Sequence, residues 1–408
     1  MEKEHCVIVG GSHSAAQLAA SLRQEGWGGD ITIASAEPCL PYHRPPLSKA
    51  YLSGEKNQDE LFIRPSSFYE DANIDLLLGS RVESIDRGRR RVLLHDGAEI
   101  PYTRLALATG ARVRRIAIPG HSLDGVFYLR DLKDVSRIRR YVGKDKSAVI
   151  IGGGYIGLET AASLRKMGMS VTVLEAMPRV LQRVTAPEVS AFFSRVHREE
   201  GVRILTQVTV ESLQGARTVE HVLLTNGEKI HADLVIVGIG VIPETGLAEQ
   251  AGLAVDDGIL VDEYSRTSDH DIVAVGDCTS HYNPLYARQV RLESVQNAMD
   301  QAKIAAKTLC GKVEAYSSLP WFWSDQYDVK LQIAGLSQGY DQVVFRGSWD
   351  TGRSVAVFYY LAGKLLAVDA MNRPKEFMLT RRALTHQLSP DPALLADESV
   401  PLQEIFES

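Results

Sequence analysis

The 408-residue sequence predicts an α/β protein with two parallel-sheet domains, followed by a smaller α+β domain. A short apolar strand, a glycine-rich turn and a helix follow one another at residues 6–25 and again at 148–167. A second strand follows each helix, at 30–33 and 170–174, as a parallel βαβ unit requires. After residue 317, alternating apolar and polar residues are typical of antiparallel strands with one buried face.

The two glycine-rich turns lie roughly 140 residues apart, which indicates two separate Rossmann-like dinucleotide-binding domains. Buried strands ending in tight turns, at 105–110 and 234–240, mark where the chain leaves each domain. The chain is then expected to return to the first domain, which it completes with a helix at about 296–309. The predicted domains are 1–110 with 240–316, 111–239, and a C-terminal α+β domain at 317–408 that contains a helix at 377–387.

Charge and cysteine content exclude several classes of function. A net charge of −6 argues against nucleic acid or an anionic membrane as the main partner. No apolar run approaches the ~20 residues that span a bilayer, and no secretion signal is recognised, so the cytoplasm is the expected location. No two cysteines have C-x-x-C or C-x4-C spacing, so we expect four reduced, mostly buried thiols and no cysteine-ligated metal. The four cysteines are Cys6, Cys39, Cys278 and Cys310.

The second glycine-rich turn matches the dinucleotide fingerprint G-x-G-x-x-G. Gly152 permits the tight turn, Gly154 lets the backbone approach a pyrophosphate, and Gly157 lets the helix pack against the strand. The N-terminus of that helix offers N–H groups and a partial positive charge to the phosphates. The candidate nucleotide-binding residues here are Gly152, Gly154, Tyr155, Ile156, Gly157 and Gly238.

An acidic residue after this turn indicates which coenzyme binds. Glu175 closes the following strand, 18 residues beyond Gly157. A carboxylate there accepts hydrogen bonds from the adenosine ribose and repels the 2′-phosphate of NADPH, so NADH is predicted. Arg179 is close enough in sequence to attract that phosphate, which leaves the strictness of the preference open.

The first glycine-rich turn departs from the fingerprint, because Ser12 replaces the middle glycine of the pattern Gly10-x-Ser12-x-x-Ala15. Serine is small enough for a pyrophosphate to approach, and its hydroxyl can donate a hydrogen bond to it. Glu37 follows the second strand, 22 residues after Ala15, and suits a ribose contact. His13 could lie near the phosphates, but an exposed loop histidine is the expected interpretation.

Five further segments resemble the FAD signatures of one flavoprotein family, the NADH-dependent ferredoxin reductases that serve bacterial oxygenases. They are PYHRPPLSK (41–49), ATG (108–110), IVAVGD (272–277), RLESVQN (291–297) and PWFWSDQ (320–326). The match spans nearly the whole chain in the family's order, on a glutathione-reductase-like fold. It implies bound FAD, a hydride taken from NADH, and single electrons passed to a 2Fe–2S ferredoxin that feeds a terminal oxygenase. We expect a monomer or weak homodimer.

The resemblance also implies roles for individual residues around FAD. Ala15 and Glu37 would hold its ADP half, and Val82 would meet the adenine through its backbone. Asp277 would accept a ribityl hydroxyl. The Val295 amide would face flavin O2, where a helix N-terminus stabilises the negative charge that reduction creates. The other FAD-binding candidates are Gly10, Ser12, Arg44, Lys49, Ala108, Thr109, Gly110 and Arg130, the last near the phosphates.

Three residues are assigned to the reaction itself. The resemblance places Lys49 and Glu159 near the flavin N5 edge, where an ion pair could position the nicotinamide. The alternative is that Lys49 is a surface charge and Glu159 a satisfied helix carboxylate. Trp323 resembles a family position at the flavin edge that faces the ferredoxin, and it would mark the electron exit. Trp321 and Trp323 could instead be core residues of the third domain.

Two other functions remain open. A disulfide or peroxide reductase on the same scaffold would need a redox cysteine, and Cys39 lies in roughly the right region without a second cysteine at the required spacing. A redox-sensing flavoprotein that acts as an interaction module is the other alternative. The compact third domain, without a long insertion, argues against it.

Overall fold

The structure is a computed structural model, and it describes residues 4–407. Its α-helices in chain order are α1 His13–Glu25, α2 Ala50–Ser53, α3 Ser66–Asp71, α4 Leu132–Ile138, α5 Tyr155–Lys166, α6 Pro187–Glu199, α7 Gly246–Gln250, α8 Val295–Leu309, α9 Pro374–Thr385, α10 Pro392–Ala396 and α11 Leu402–Glu407. Short 3-10 helices lie at Pro45–Ser48 and Asp59–Leu61.

The strands of the first half are β1 His5–Val9, β2 Asp30–Ser35, β3 Ile74–Leu78, β4 Val82–Asp86, β5 Arg91–Leu94, β6 Glu99–Pro101, β7 Arg104–Leu107, β8 Ala111–Val113, β9 Val126–Phe127, β10 Ser147–Ile151, β11 Ser170–Glu175, β12 Arg203–Thr206 and β13 Val210–Gln214. Those of the second half are β14 His221–Leu224, β15 Lys229–His231, β16 Leu234–Val237, β17 Val241–Pro243, β18 Ile259–Val261, β19 Ile272–Ala274, β20 Thr279–Asn283, β21 Arg288–Val290, β22 Trp321–Gln326, β23 Val329–Gly335, β24 Gln342–Gly347, β25 Val355–Leu361 and β26 Lys364–Met371.

The chain forms two compact units, each assembled from three segments. The first unit contains the chain up to His43, Asp59–Arg112 and Ile242–Pro320, and the second contains Arg44–Gln58, Val113–Val241 and the chain from Trp321 onward. The chain therefore leaves the first unit and returns to it. The finer division into three functional domains stays a prediction.

The first unit is built on a five-stranded parallel sheet of order β19-β7-β1-β2-β3. Its central strand β1 is apolar from Cys6 to Val9 because both faces of the sheet are covered there. Cys6 and Ile8 join a core with α1 and α8, while Val7 and Val9 join one with the antiparallel strands β4 and β5. This burial on both sides explains why the sequence shows a continuous apolar run here.

The second unit contains a parallel sheet of order β12-β11-β10-β16-β9. Here β10 is again the apolar strand that precedes a glycine-rich turn, and α5 follows that turn. The repeated βαβ pattern and the α/β fold class are thus confirmed. The antiparallel strands β13, β14 and β15 cover part of the apolar residues of this sheet.

The second unit also contains the C-terminal antiparallel sheet, of order β22-β23-β26-β25-β24. Helix α9 packs on this sheet and begins at Pro374, three residues before the predicted start, because proline is well suited to the first helical position.

In the first unit, helix α8 begins at Val295. The Ser294 side chain caps this helix by accepting a hydrogen bond from the Asn297 amide.

Two further predictions concern cysteines and membranes. Cys6 and Cys278 are buried as expected, whereas Cys39 and Cys310 are only half-buried. Among the described helices, none is long and apolar enough to cross a membrane.

Candidate active site

The first glycine-rich turn connects β1 to α1 and requires glycine at its first position. Gly10 has φ +125°, and a Cβ there would lie 2.1 Å from the Ala108 carbonyl oxygen. Ser12 is the N-cap residue of α1, and Ala15 is fully buried in its first turn. The backbone of the turn and the helix N-terminus are therefore presented together, as a pyrophosphate requires.

The other predicted FAD residues of the first unit collect at one edge of its parallel sheet. Glu37 follows β2, Thr109 and Gly110 follow β7, and Asp277 follows β19. Parallel strands place their carboxyl ends at the same edge, which is where α/β proteins bind nucleotides. Thr109 donates a hydrogen bond to the Glu244 carbonyl at 2.7 Å and thereby fixes the loop after β7.

Glu37 and Val82 both lie in the first unit. The Tyr42 hydroxyl, which is buried, donates a hydrogen bond of 2.6 Å to Glu37 Oε2 and so orients the carboxylate. Val82 begins β4, is 7% exposed and pairs with Leu94. Val295 is the first residue of α8, so its N–H has no intrahelical acceptor by position.

The expectation of an exposed loop histidine at position 13 is wrong. His13 is the first residue of α1, and only 7% of it is exposed. Its Nε2 lies 3.2 Å from Nδ1 of His43. The helix begins directly after Ser12, so position 13 lies in the first turn of α1 and is not part of an open loop. The side chain is buried there.

Of the three fingerprint glycines in the second glycine-rich turn, in the second unit, the protein's own packing requires two, Gly152 and Gly157, and does not require Gly154. A Cβ on Gly152, which has φ +114°, would lie 2.3 Å from the Gly238 carbonyl oxygen. A Cβ on Gly157 would lie 2.2 Å from the Gly152 carbonyl oxygen. A Cβ on Gly154, the N-cap of α5, would meet no heavy atom within 4 Å. The open space at Gly154 fits a ligand that approaches the backbone.

Two residues at the start of helix α5, Tyr155 and Ile156, follow the glycine-rich turn directly. Ile156 is 48% exposed. The Tyr155 ring lies 4.9 Å from that of Phe322, while its buried hydroxyl has no hydrogen-bond partner among residues 4–407. A buried polar atom without a partner is costly unless a ligand or water satisfies it. The charged groups that act on this hydroxyl are Asp369 and Glu159 of the same unit.

The predicted coenzyme-selecting acid is held in place by backbone amides. Glu175 accepts hydrogen bonds from Gly153 N–H at 2.7 Å and from Met177 N–H at 2.8 Å. Arg179 is occupied elsewhere, because it donates to the Ser190 hydroxyl and to carbonyls of residues 182 and 186. Arg179 is therefore not poised to neutralise a 2′-phosphate, which strengthens the prediction of NADH.

Replacing Glu175 with glutamine is expected to raise the ratio of kcat/KM for NADPH to that for NADH about 10-fold, or about 1.4 kcal/mol. The change removes the charge that repels the 2′-phosphate and keeps an oxygen for the Gly153 amide. Steady-state kinetics with both coenzymes measure the ratio. Glu228→Gln, which changes an exposed carboxylate paired with Arg203, is the control. An unchanged ratio in Glu175→Gln would remove Glu175 from coenzyme selection.

Lys49 and Glu159 form an ion pair within the second unit. Lys49 Nζ lies 2.6 Å from Glu159 Oε2, and their side chains are 20% and 3% exposed. The hydroxyls of Ser48 and Ser324 also donate to this carboxylate, each at 2.6 Å. Lys49 is therefore not a surface charge, and the buried carboxylate has the donors that a charge away from water needs.

Two family models match the chain: pyridine nucleotide-disulphide oxidoreductase over residues 4–302, and reductase C-terminal over residues 321–406. The chain belongs to the pyridine nucleotide-disulphide oxidoreductase family. As a member of this family, it is an oxidoreductase that binds FAD and NAD(P)H. The two glycine-rich turns, each at the carboxyl edge of its own parallel sheet, fit those two dinucleotides.

Named relatives of this oxidoreductase match over nearly their whole length. Putidaredoxin reductase of Pseudomonas putida is 46% identical, covering 99% of this chain and 97% of that protein. Rhodocoxin reductase of Rhodococcus erythropolis is 44% identical, covering 97% and 93%. The crystal structure of a covalent putidaredoxin reductase–putidaredoxin complex superimposes with a TM-score of 0.96, at 46% identity, covering 99% of this chain and 98% of that one.

The remaining predicted residues lie in the second unit of the oxidoreductase. The Arg44 guanidinium donates to the Arg130 carbonyl at 2.9 Å, and the Arg130 amide donates to Asp134 at 3.0 Å. Trp323, on β22, is half-buried with its ring centroid 5.5 Å from that of Trp321. The roles of these residues in cofactor binding and electron exit stay predictions.

The sequence alone predicted no role for four residues beside the ion pair. Ser48 and Ser324 donate hydrogen bonds to the Glu159 carboxylate. Gln326 contacts Ser324, and His197 contacts Gln326. The available signal was the alternation in β22, where Ser324 and Gln326 share one face of a strand otherwise rich in aromatic residues. Polar residues on a buried face of a strand indicate a hydrogen-bonded network. That pattern does not name the partners.

The sequence also did not predict a buried carboxyl group in the C-terminal sheet. Asp369 on β26 is 1% exposed and accepts a hydrogen bond of 2.6 Å from the Tyr359 hydroxyl. That hydroxyl in turn accepts a hydrogen bond of 3.2 Å from the Ala186 amide, just before α6. Burial raises the pKa of Asp369 to about 7, and the hydrogen bond from Tyr359 offsets part of that rise.

This raised pKa predicts that the free energy of unfolding falls as pH rises from about 4 to about 7. In that window the folded chain holds a proton on Asp369 that the unfolded chain has released at its ordinary pKa of about 3.9. Between pH 5 and pH 8 the loss should be about 3 kcal/mol, at about 1.4 kcal/mol per pKa unit. Urea unfolding of the wild type and of Asp369→Asn, which cannot ionise, measures the difference. Parallel pH profiles for the two proteins would contradict the prediction.

Proposed function

We propose that this protein takes a hydride from NADH and passes single electrons to a 2Fe–2S ferredoxin that feeds an oxygenase. The observation that carries the proposal is the pair of dinucleotide turns, together with a C-terminal reductase domain and no closely spaced cysteine pair in the sequence. The relatives named for their acceptors, putidaredoxin reductase and rhodocoxin reductase, support an electron-transfer partner.

The residues of the two turns have distinct binding roles in this proposal. The turn at Gly10 holds the ADP half of FAD, with Glu37 on its ribose. The turn at Gly154 holds the pyrophosphate of NADH, with Glu175 on its ribose. Bound FAD supplies the redox chemistry, because it accepts a hydride and releases electrons one at a time.

The chain's own contribution to the reaction is position and electrostatics. Lys49 is held by Glu159 at 2.6 Å, so its ammonium group has one location from which to align the nicotinamide. The Val295 amide, at the N-terminus of α8, stabilises negative charge at the flavin O2 edge. Arg44 and Arg130 support the cofactor, and Trp323 marks the electron exit.

The proposal includes a cytoplasmic location and a partner protein rather than a disulfide as electron acceptor. Four cysteines in 408 residues, none with C-x-x-C or C-x4-C spacing, suit a reducing compartment. A disulfide or peroxide reductase would use a cysteine close to the flavin as its redox group. Cys39 is the candidate for that competing function.

An anaerobic assay separates the two functions. We expect NADH to reduce an added 2Fe–2S ferredoxin through the enzyme, both before and after alkylation of the protein with iodoacetamide. The Cys39→Ser variant should behave as the wild type does. Turnover that requires a disulfide or peroxide, and that disappears on alkylation or in Cys39→Ser, would overturn the proposal in favour of the thiol-based reductase.

A further inference from the structure

A row of buried side chains leads away from the Lys49–Glu159 ion pair into the C-terminal sheet. Ser324 Oγ, 2.6 Å from Glu159 Oε1, lies 3.2 Å from Gln326 Nε2. Gln326 Oε1 lies 2.8 Å from His197 Nε2, on α6. The buried residues of this row are each at most 2% exposed: Glu159, Ser324, Gln326 and His197. The row belongs entirely to the second unit.

In each hydrogen bond of this row, the residue farther from Glu159 is the donor. The Gln326 amide donates from Nε2 to Ser324, so its oxygen must accept from His197 Nε2–H. The other ring nitrogen, Nδ1, accepts from the Tyr327 hydroxyl at 3.1 Å. His197 is therefore the neutral Nε2–H tautomer. Burial lowers the pKa of His197 to about 4, which keeps the ring neutral at physiological pH.

The consequence is a chain of donors that ends on the Glu159 carboxylate. His197 donates to Gln326, Gln326 donates to Ser324, and Ser324 donates to Glu159. Every member is satisfied, and a fully connected buried network fixes the orientation of its members. The Glu159 oxygen Oε1 is thus held by Ser324, while Oε2 receives Lys49 and Ser48.

We infer that Ser324, Gln326 and His197 are positioning residues, which hold Glu159, and through it Lys49, in the geometry that reduction by NADH requires. The inference rests on the proposed function, because it takes Lys49 to act beside the nicotinamide. Successive residues of a strand face opposite sides of the sheet. The strand β22 therefore supports the ion pair with Ser324 and Gln326, while its neighbouring residue Trp323 faces the other way.

The test compares Ser324→Ala and Gln326→Leu with the wild type in anaerobic stopped-flow mixing with NADH. We expect the limiting rate of flavin reduction to fall about 10-fold, because small displacements of an aligning group cost rate. The dissociation constant for NADH should stay within about two-fold, since these side chains do not form the glycine-rich turn. The matched control is Thr380→Val, which removes a buried hydroxyl without a hydrogen-bond partner in the described chain.

Nitrogen NMR of the holoenzyme with ¹⁵N-labelled histidine supplies a readout that is independent of rate. The wild type should show His197 as the neutral Nε2–H tautomer. Ser324→Ala should shift the His197 ring signals, because Gln326 loses its acceptor and reorients. Thr380→Val should leave these signals unchanged.

The outcomes separate this inference from the proposed function. If NADH does not reduce the wild-type flavin, the proposed function fails. If the wild type is reduced, and folded Ser324→Ala and Gln326→Leu keep its rate, only the positioning inference fails. The positioning inference also fails if Thr380→Val slows flavin reduction as much as Ser324→Ala does, or if the His197 signals do not respond to Ser324→Ala. A slower rate at constant NADH affinity, with shifted His197 signals, supports the inference.

Discussion

Lys49→Ala, compared with the wild type at equal FAD loading, is expected to slow the reduction of bound FAD by NADH about 100-fold. The ammonium group of Lys49 is held 2.6 Å from Glu159 in a mostly buried site, where a fixed charge acts more strongly than it does in water. In the proposed function, removing it leaves the nicotinamide without its aligning group, and misalignment of this kind costs about two orders of magnitude in rate. Anaerobic stopped-flow absorbance of the flavin measures the rate.

Lys166→Ala is the matched control for this prediction. Lys166 forms an ion pair with Glu55 in the same unit, but the two side chains are 70% and 53% exposed. An exposed pair contributes little to stability or alignment. Lys166→Ala should therefore reduce at the wild-type rate. A Lys49→Ala enzyme that also reduced at the wild-type rate would contradict the role of Lys49.

Gly10→Val is expected to abolish FAD retention and to lower the free energy of unfolding by more than about 4 kcal/mol. Valine is strained at φ +125°, and its Cβ would lie 2.1 Å from the Ala108 carbonyl oxygen, which is backbone and cannot move aside. The turn must therefore open and lose its approach to the pyrophosphate. Flavin absorbance of the purified protein and thermal unfolding measure the two effects.

The control for this prediction is Gly26→Ala, at the other end of the same helix. Gly26 has φ +95°, but a Cβ there would meet nothing within 4 Å. Only the backbone strain remains, so Gly26→Ala should cost about 1 kcal/mol and keep its FAD. Full FAD content in Gly10→Val would show that the first glycine-rich turn does not hold the cofactor.

The parts of the molecule that the sequence predicted are those determined by local patterns. Glycine-rich turns, apolar strands and helices depend on neighbouring residues, and the predicted helices after both turns agree with α1 and α5. The steric need for Gly152 and Gly157 could be read from the fingerprint alone. The Lys49–Glu159 pair was predicted only through the family resemblance, because no local pattern connects the two residues.

The parts that escaped prediction depend on contacts between distant residues. Ser48 and Glu159 are 111 residues apart, and Ser324 and Glu159 are 165 apart. Side-chain partners at such separations follow from the tertiary packing, and single-sequence periodicity carries no information about them. His13 was misassigned for a related reason, since its burial depends on where α1 begins and on the position of His43.

The measurement that tests the central claim most directly is an anaerobic NADH titration of the FAD-loaded protein, followed by stopped-flow mixing with oxidised 2Fe–2S ferredoxins. The claim predicts that one NADH fully reduces each enzyme-bound FAD, and that each reduced enzyme then reduces two ferredoxin molecules. A flavin that NADH reduces but that no ferredoxin reoxidises, while a disulfide or peroxide does, would contradict it.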